Sequence, residues 1–159
     1  MIQKIAVGND HGGFIEKKII IQYLRELGYE VLDFGSDDEH IVRYPYYAAL
    51  IADAVIRDEA QRGILICSTG IGMSIAANKY KGIKASLCTN AYMAKMTRQH
   101  NNSNVLCLGG KISTPDELID IVTAWLENDF IGGRHQISLD MIQEIEDATM
   151  KDCVVIPCE

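Results

Sequence analysis

Several absences narrow this sequence before any motif is read. No apolar run approaches the roughly 18–20 residues needed to cross a bilayer, so no membrane-spanning helix is expected. No signal peptide is expected either. The five cysteines, at 67, 88, 107, 153 and 158, contain no Cys-x-x-Cys pair and no zinc-finger spacing. Their odd number, and the place of three of them in or at the end of apolar runs, predict reduced thiols in a cytoplasmic setting; Cys153 and Cys158 are expected to be free. Positive charge is in the minority, with 15 Lys and Arg against 22 Asp and Glu and a formal net charge of −7. Neither nucleic acid nor a membrane surface is therefore an expected partner, and an anionic ligand has to be met by local positive charge. The dinucleotide fingerprint G-x-G-x-x-G is also missing: Gly8-Asn9-Asp10-His11-Gly12-Gly13 departs from it, which disfavours a nicotinamide cofactor. There is no repeat, linker or low-complexity segment.

What is present is 159 residues, 48% of them hydrophobic and 23% charged, enough for one domain with a substantial core. Short β-rich runs alternate with longer helical stretches. Strands are predicted at 5–7, 30–34, 63–66, 84–88 and 104–108. Helices are predicted at about 14–27, with Gly28 as stop signal, from Pro45 onward, from near Met73, at 91–100 behind an Asn90 N-cap, after Ser113-Thr114-Pro115-Asp116-Glu117, and at roughly 139–148. Five Ile/Val/Leu-rich strands between helices read as a doubly wound α/β domain, a Rossmann-like three-layer sandwich with a five-stranded parallel sheet and an extra C-terminal helix. The domain is expected to span 1–149, with 150–159 as a tail of no evident structure.

In such folds ligands bind beyond the carboxyl ends of the strands. The polar residues there are Asn9-Asp10-His11, Cys67-Ser68-Thr69 and Gly109-Gly110-Lys111. The segment Gly63 to Ser74 is the most informative. An apolar strand ends at Cys67 and a glycine-punctuated turn opens a helix, so the N–H groups of Gly70, Ile71, Gly72, Met73 and Ser74 are predicted to face whatever sits beside the sulfur. Amides so arranged favour negative charge and a reactive thiolate. The plain alternative is that Cys67 is a small buried hydrophobe beside a tight turn. A Cys-x5-Arg phosphatase loop is set aside, because Met73 stands where the arginine would be. Taken singly, the other candidates have equally plain readings: Asp10 as a turn cap, His100 as a helix-dipole partner, Arg134 and His135 as loop charges, Tyr44 as a packed aromatic before Pro45.

Taken together, five motifs fall in order: Gly8-x-Asp10-His11-Gly12-Gly13; Tyr44-Pro45; Ile66-Cys67-x-Thr69-Gly70-x-Gly72-x-Ser74-x-Ala76-x-Asn78-Lys79; Arg98-x-His100-Asn101; and Gly132-Gly133-Arg134-His135-Gln136. Over about residues 3 to 148 the chain resembles the ribose-5-phosphate isomerase B family, which also includes the galactose-6-phosphate isomerase subunits. The resemblance implies a cofactor-free aldose–ketose isomerase, with no metal. It implies that Cys67 transfers the proton, that Thr69 and the Gly70–Ser74 amides hold the enediolate, and that His100 with Asp10 opens the sugar ring. It implies that His11 and Arg134 hold phosphate, that Asn101 holds a sugar hydroxyl, and that Tyr44 and Lys111 line the substrate site. It further implies a homodimer or tetramer with shared sites, the terminal helix packing on the partner.

The chain also departs from the family pattern. Lys111 and Ser138 stand where arginine is common, and Arg43 precedes Tyr44-Pro45 where aspartate is usual. Ribose 5-phosphate is the first expected substrate. A six-carbon phosphate such as allose or galactose 6-phosphate, or an unphosphorylated rare sugar, is the alternative, and a non-catalytic sugar-phosphate-binding module is the competing class.

Overall fold

The computed structural model describes residues 3–159. Strand β1 (Lys4–Asn9) ends in a single 3-10 turn over His11–Gly13 that leads into α1 (Phe14–Glu26). β2 (Glu30–Asp33), α2 (Tyr44–Ile56), β3 (Arg62–Cys67) and α3 (Ile71–Ala77) follow, then β4 (Ala85–Leu87), α4 (Ala91–Asn101), β5 (Val105–Gly109), α5 (Pro115–Leu126) and α6 (Arg134–Thr149). The five strands form one parallel sheet in the order β2-β1-β3-β5-β4.

Each face of the sheet buries its own apolar layer. On one side Ile5, Val7, Ile64, Ile66, Leu106 and Leu108 pack under Ile20 and Leu24 of α1 and Leu118, Val122 and Trp125 of α5. On the other, Ala6, Leu65 and Cys107 meet Ile51 and Ala52 of α2 and Met73 and Ala77 of α3. Side chains of successive strand residues alternate between the two layers. Because both faces are covered, the strands read as unbroken apolar runs. The doubly wound, three-layer expectation holds. The two outer strands are short: β2 has four residues and β4 three.

α5 begins where its signal placed it, in a full capping box: Thr114 accepts from the Glu117 amide while Glu117 bonds back to the Thr114 backbone. α6 differs from expectation, starting at Arg134 rather than near Leu139. Gly132 and Gly133 both take positive φ, +65° and +59°. They turn the chain sharply enough for the helix to open at once, although its first residues, Arg134, His135 and Gln136, are polar. α6 is held to the body near its far end, where buried Glu146 accepts the Gly82 amide at 3.1 Å and Asp147 pairs with Lys81 at 2.8 Å. Residues 150–159 have neither helix nor strand. All five cysteines are free, and among the described residues no helix is long and apolar enough to cross a membrane.

This topology fixes where chemistry can sit. From β1 the chain leaves toward β2 on one side, and β3 returns on the other, so the β1/β3 boundary is the switch point of the sheet. The crevice beyond it is where such folds take ligands. It is flanked by the Asp10-His11 turn and the Cys67–Ser74 loop.

Candidate active site

Cys67 is the last residue of β3, 6% exposed, with one side against the α2–α3 apolar layer. Its Sγ accepts the Gly70 N–H at 3.0 Å, a contact that supports negative charge on sulfur. The tight return needs Gly70, whose φ is +76°; a Cβ there would meet Leu87 and the Leu108 backbone.

The remaining amides of the loop are not all open, which corrects the expectation. Ile71 N–H donates to Thr69 Oγ1 at 3.3 Å, and Ser74 N–H already closes a helical bond to the Gly70 carbonyl at 3.1 Å. The Ser74 hydroxyl donates to the Ile71 carbonyl at 2.8 Å, so Ser74 spends both polar groups inside its helix. Gly72 and Met73 remain, their amides without an intramolecular acceptor among the described residues. The Met73 side chain is core, and only its backbone can serve a ligand. Because Thr69 Oγ1 accepts from Ile71, its own O–H is free to donate outward. The Tyr44 ring covers the loop from α2, and a Cβ on Gly72 would stand 2.9 Å from it.

The β1 and β5 loops are stitched to this loop. Asp10 N–H donates to the Ile66 carbonyl at 3.2 Å, Gly110 N–H to the Cys67 carbonyl at 2.8 Å, and Lys111 N–H to the Ser68 carbonyl at 3.0 Å. The Asp10 carboxylate accepts the Gly12 amide at 2.8 Å and is 6% exposed. Burial raises its pKa above the ordinary 3.8, while the Gly12 amide and neighbouring His11 pull it back down. His11 Nδ1 accepts the Val42 N–H at 3.3 Å, which leaves Nε2–H as the ring donor that can face an anion. The exposed Lys111 side chain adds local positive charge.

A second cluster lies at the C-terminal end of α4. His100, in its last turn, stacks on His135 of α6 with ring centroids 4.1 Å apart and planes 7° from parallel. Burial lowers the His135 pKa, helped by His100 and Arg134. Asn101 and Arg134, each next in sequence to one of the stacked histidines, are exposed. The helix end is anchored by Arg98, whose buried guanidinium donates to the Ser103 and Asn128 carbonyls and to Asn102 Oδ1. Within the described residues no hydrogen bond joins His100 to Asp10 or Cys67. The structure therefore brings Cys67, Thr69, Asp10, His11, Tyr44 and Lys111 together, and leaves His100, Asn101 and Arg134 as a separate group.

A family model described as Ribose/Galactose Isomerase matches residues 5–142. The chain belongs to this family. It is 46% identical over 145 residues to ribose-5-phosphate isomerase B of Escherichia coli, covering 91% of this chain and 97% of that one. The ribose-5-phosphate isomerase B structure from Clostridium thermocellum superposes with a TM-score of 0.91 at 48% identity, covering 92% and 99% of the two chains. The Mycoplasma genitalium enzyme, solved with bound ribulose-5-phosphate, gives 0.90 at 41% identity, covering 94% and 99%.

Two features of this isomerase-family site escaped the sequence. Val42 reaches His11 from a polar loop 31 residues away, and no local pattern marks it. The stack of His135 on His100 joins two helices; the only sequence signal was that each histidine lies in a motif of its own.

Proposed function

We propose that this chain interconverts ribose 5-phosphate and ribulose 5-phosphate through an enediolate, with Cys67 moving the proton. The observation that carries this is the sulfur at the sheet's switch point, beneath the Gly70 amide and beside the open amides of Gly72 and Met73. As a thiolate, Cys67 removes the proton from C2 of the open-chain aldose. The C2–H electrons become the C1–C2 double bond, and negative charge collects on O1. The Gly72 and Met73 amides and the Thr69 hydroxyl are the preorganised donors for that charge. The O2 hydroxyl proton passes to O1, Cys67 returns the carbon-bound proton to C1 using the C1–C2 double-bond electrons, and the O2 electrons re-form the carbonyl at C2. Relatives of this chain bear the same activity in their names, among them the Escherichia coli and Mycoplasma genitalium proteins.

Ring opening moves a proton between O1 and the ring oxygen and is assigned to His100 with Asp10. No hydrogen bond joins these residues among the described residues, and the reading includes a homodimer in which His100, Asn101 and Arg134 of one copy complete the crevice of the other. The exposed apolar stripe Ile137, Met141, Ile142 and Ile145 on α6 supports such a contact. The proposed compartment is the cytoplasm, in keeping with five unpaired thiols. A second reading concerns substrate choice. Ser138 lies one helical turn beyond Arg134, where the family commonly adds arginine, so a six-carbon or unphosphorylated aldose is the competitor.

The test is solvent-hydrogen exchange into ribose 5-phosphate, together with kcat/KM over pentoses and hexoses with and without phosphate. Cys67→Ala is expected to lose about 10²- to 10⁴-fold in exchange while still binding the sugar phosphate. Wild-type protein that binds without any exchange overturns the isomerase in favour of a binding module. Equal kcat/KM for phosphorylated and free sugars removes His11 and Arg134 from phosphate binding.

A further inference from the structure

Residues 150–159 lie beyond the family match, which stops at 142, and have no regular structure. The body nevertheless grips them at three points. Lys81 Nζ, already paired with Asp147 of α6, reaches Asp152 Oδ1 at 2.7 Å. The Tyr80 hydroxyl donates to the Val155 carbonyl at 2.7 Å. The Tyr47 hydroxyl donates to Glu159 Oε1 at 2.6 Å. The segment is thus a strap running from the end of α6, past the exit of α3, onto α2.

The three grips differ in kind. The first two engage exposed groups, of the sort that contribute little when they stand alone. Tyr47 is 4% exposed, and burial together with Glu159 raises its pKa, so it stays a protonated donor. It packs edge-on against Tyr46, centroids 5.1 Å apart. One turn earlier on the same helix stands Tyr44, whose ring rests on Gly72 of the amide loop. A cavity of about 410 Å³ is walled by Glu159 together with Phe34, Asp38, His40 and Val42. Val42 is the residue whose N–H fixes His11. Glu159 therefore bonds to the first turn of α2 and shares one cavity wall with the loop at 34–42, and those two segments carry Tyr44 and hold His11.

We propose that Glu159 is a positioning residue: by holding Tyr47 it sets the start of α2 and the loop at 34–42, and through them Tyr44 and His11. The proposal rests on the isomerase reading above, because it assigns these two groups to substrate binding. A structural strap alone would change melting temperature. A positioning strap changes KM, because a small displacement of a binding group is felt directly in how the substrate is held.

The experiment compares Glu159→Ala, Glu159→Gln and Lys81→Ala in the full chain. Glu159→Ala is expected to raise KM for ribose 5-phosphate about 3- to 10-fold and keep kcat within about twofold. Glu159→Gln retains an acceptor oxygen and is expected to restore the wild-type KM. Lys81→Ala loosens the strap at the opposite end of α2 from Tyr44 and Tyr47 and is expected to leave KM unchanged. Backbone amide exchange over residues 42–47 is expected to quicken in Glu159→Ala alone. Wild-type KM in Glu159→Ala, or a KM rise shared equally by Lys81→Ala, overturns the proposal. If the wild type isomerises no sugar phosphate, the isomerase reading fails by itself; unchanged amide exchange in Glu159→Ala then overturns the strap separately.

Discussion

Asp10 shows how the site trades stability for chemistry. Its carboxyl is buried at the end of β1, and the Gly12 amide and His11 offset only part of that burial. The folded pKa lies above 3.8, so the folded chain binds this proton more tightly than the unfolded chain, and stability is lost as pH rises through that folded value. Asp10→Asn keeps an oxygen for the Gly12 amide and removes the ionisation. It is expected to melt higher than wild type at pH 7, with the gap closing as pH falls toward 4, while isomerisation drops steeply. Calorimetry across that range checks the sign, and a gap that widened on acidification would refute it. At this scale the sequence was legible wherever a strand end decides position: Cys67, Asp10 and His11 follow from counting strands. It was not legible wherever a local bond competes for a group. Ser74 was expected to present its amide, but helix closure onto the Gly70 carbonyl consumes it.

Among the elements, those with chemical punctuation were readable and those without it were not. Asn90 caps α4 and Thr114 caps α5 as expected, because a side-chain acceptor three residues before an amide is a local signal. α6 was read as starting five residues late, because two glycines and a polar first turn hide a helix whose apolar stripe is exposed among the described residues. The anchoring of α4 was equally invisible. Trp125 of α5 donates its indole N–H to Ser103 Oγ at 2.7 Å in the core, and the Ser103 carbonyl receives the buried Arg98 guanidinium. Ser103→Ala leaves that indole donor unpaired and is expected to cost about 1–3 kcal/mol, read as a lower denaturation midpoint. Because the Ser103 backbone still holds Arg98, the His100–His135 stack is expected to survive, with wild-type histidine titrations by NMR. Histidine signals that move with the mutation would show that the two anchors are coupled.

For the whole molecule, assembly and catalysis are argued to be one question. The α6 stripe leaves Ile137, Met141 and Ile145 each about 60% exposed in a single chain, an apolar face of the kind that marks an interaction surface. On the proposed shared-site reading, wild-type protein sediments as a dimer or tetramer, and Ile145→Glu is expected to sediment as a monomer and to lose activity in proportion. A fully active monomer would refute the shared site. The strap at 150–159 lay beyond any sequence argument, since its bonds span 71, 75 and 112 residues and follow no period. The sheet order carries a consequence of its own. Both borders of the sheet are brief, and β2 begins and ends on acids, Glu30 and Asp33. A border so short, its end residues tied to Lys4 and Lys17 at 3.1 Å, is a poor template for another strand. Main-chain ladders between copies are therefore discouraged, which leaves the helical flanks as the surfaces through which the proposed dimer would join.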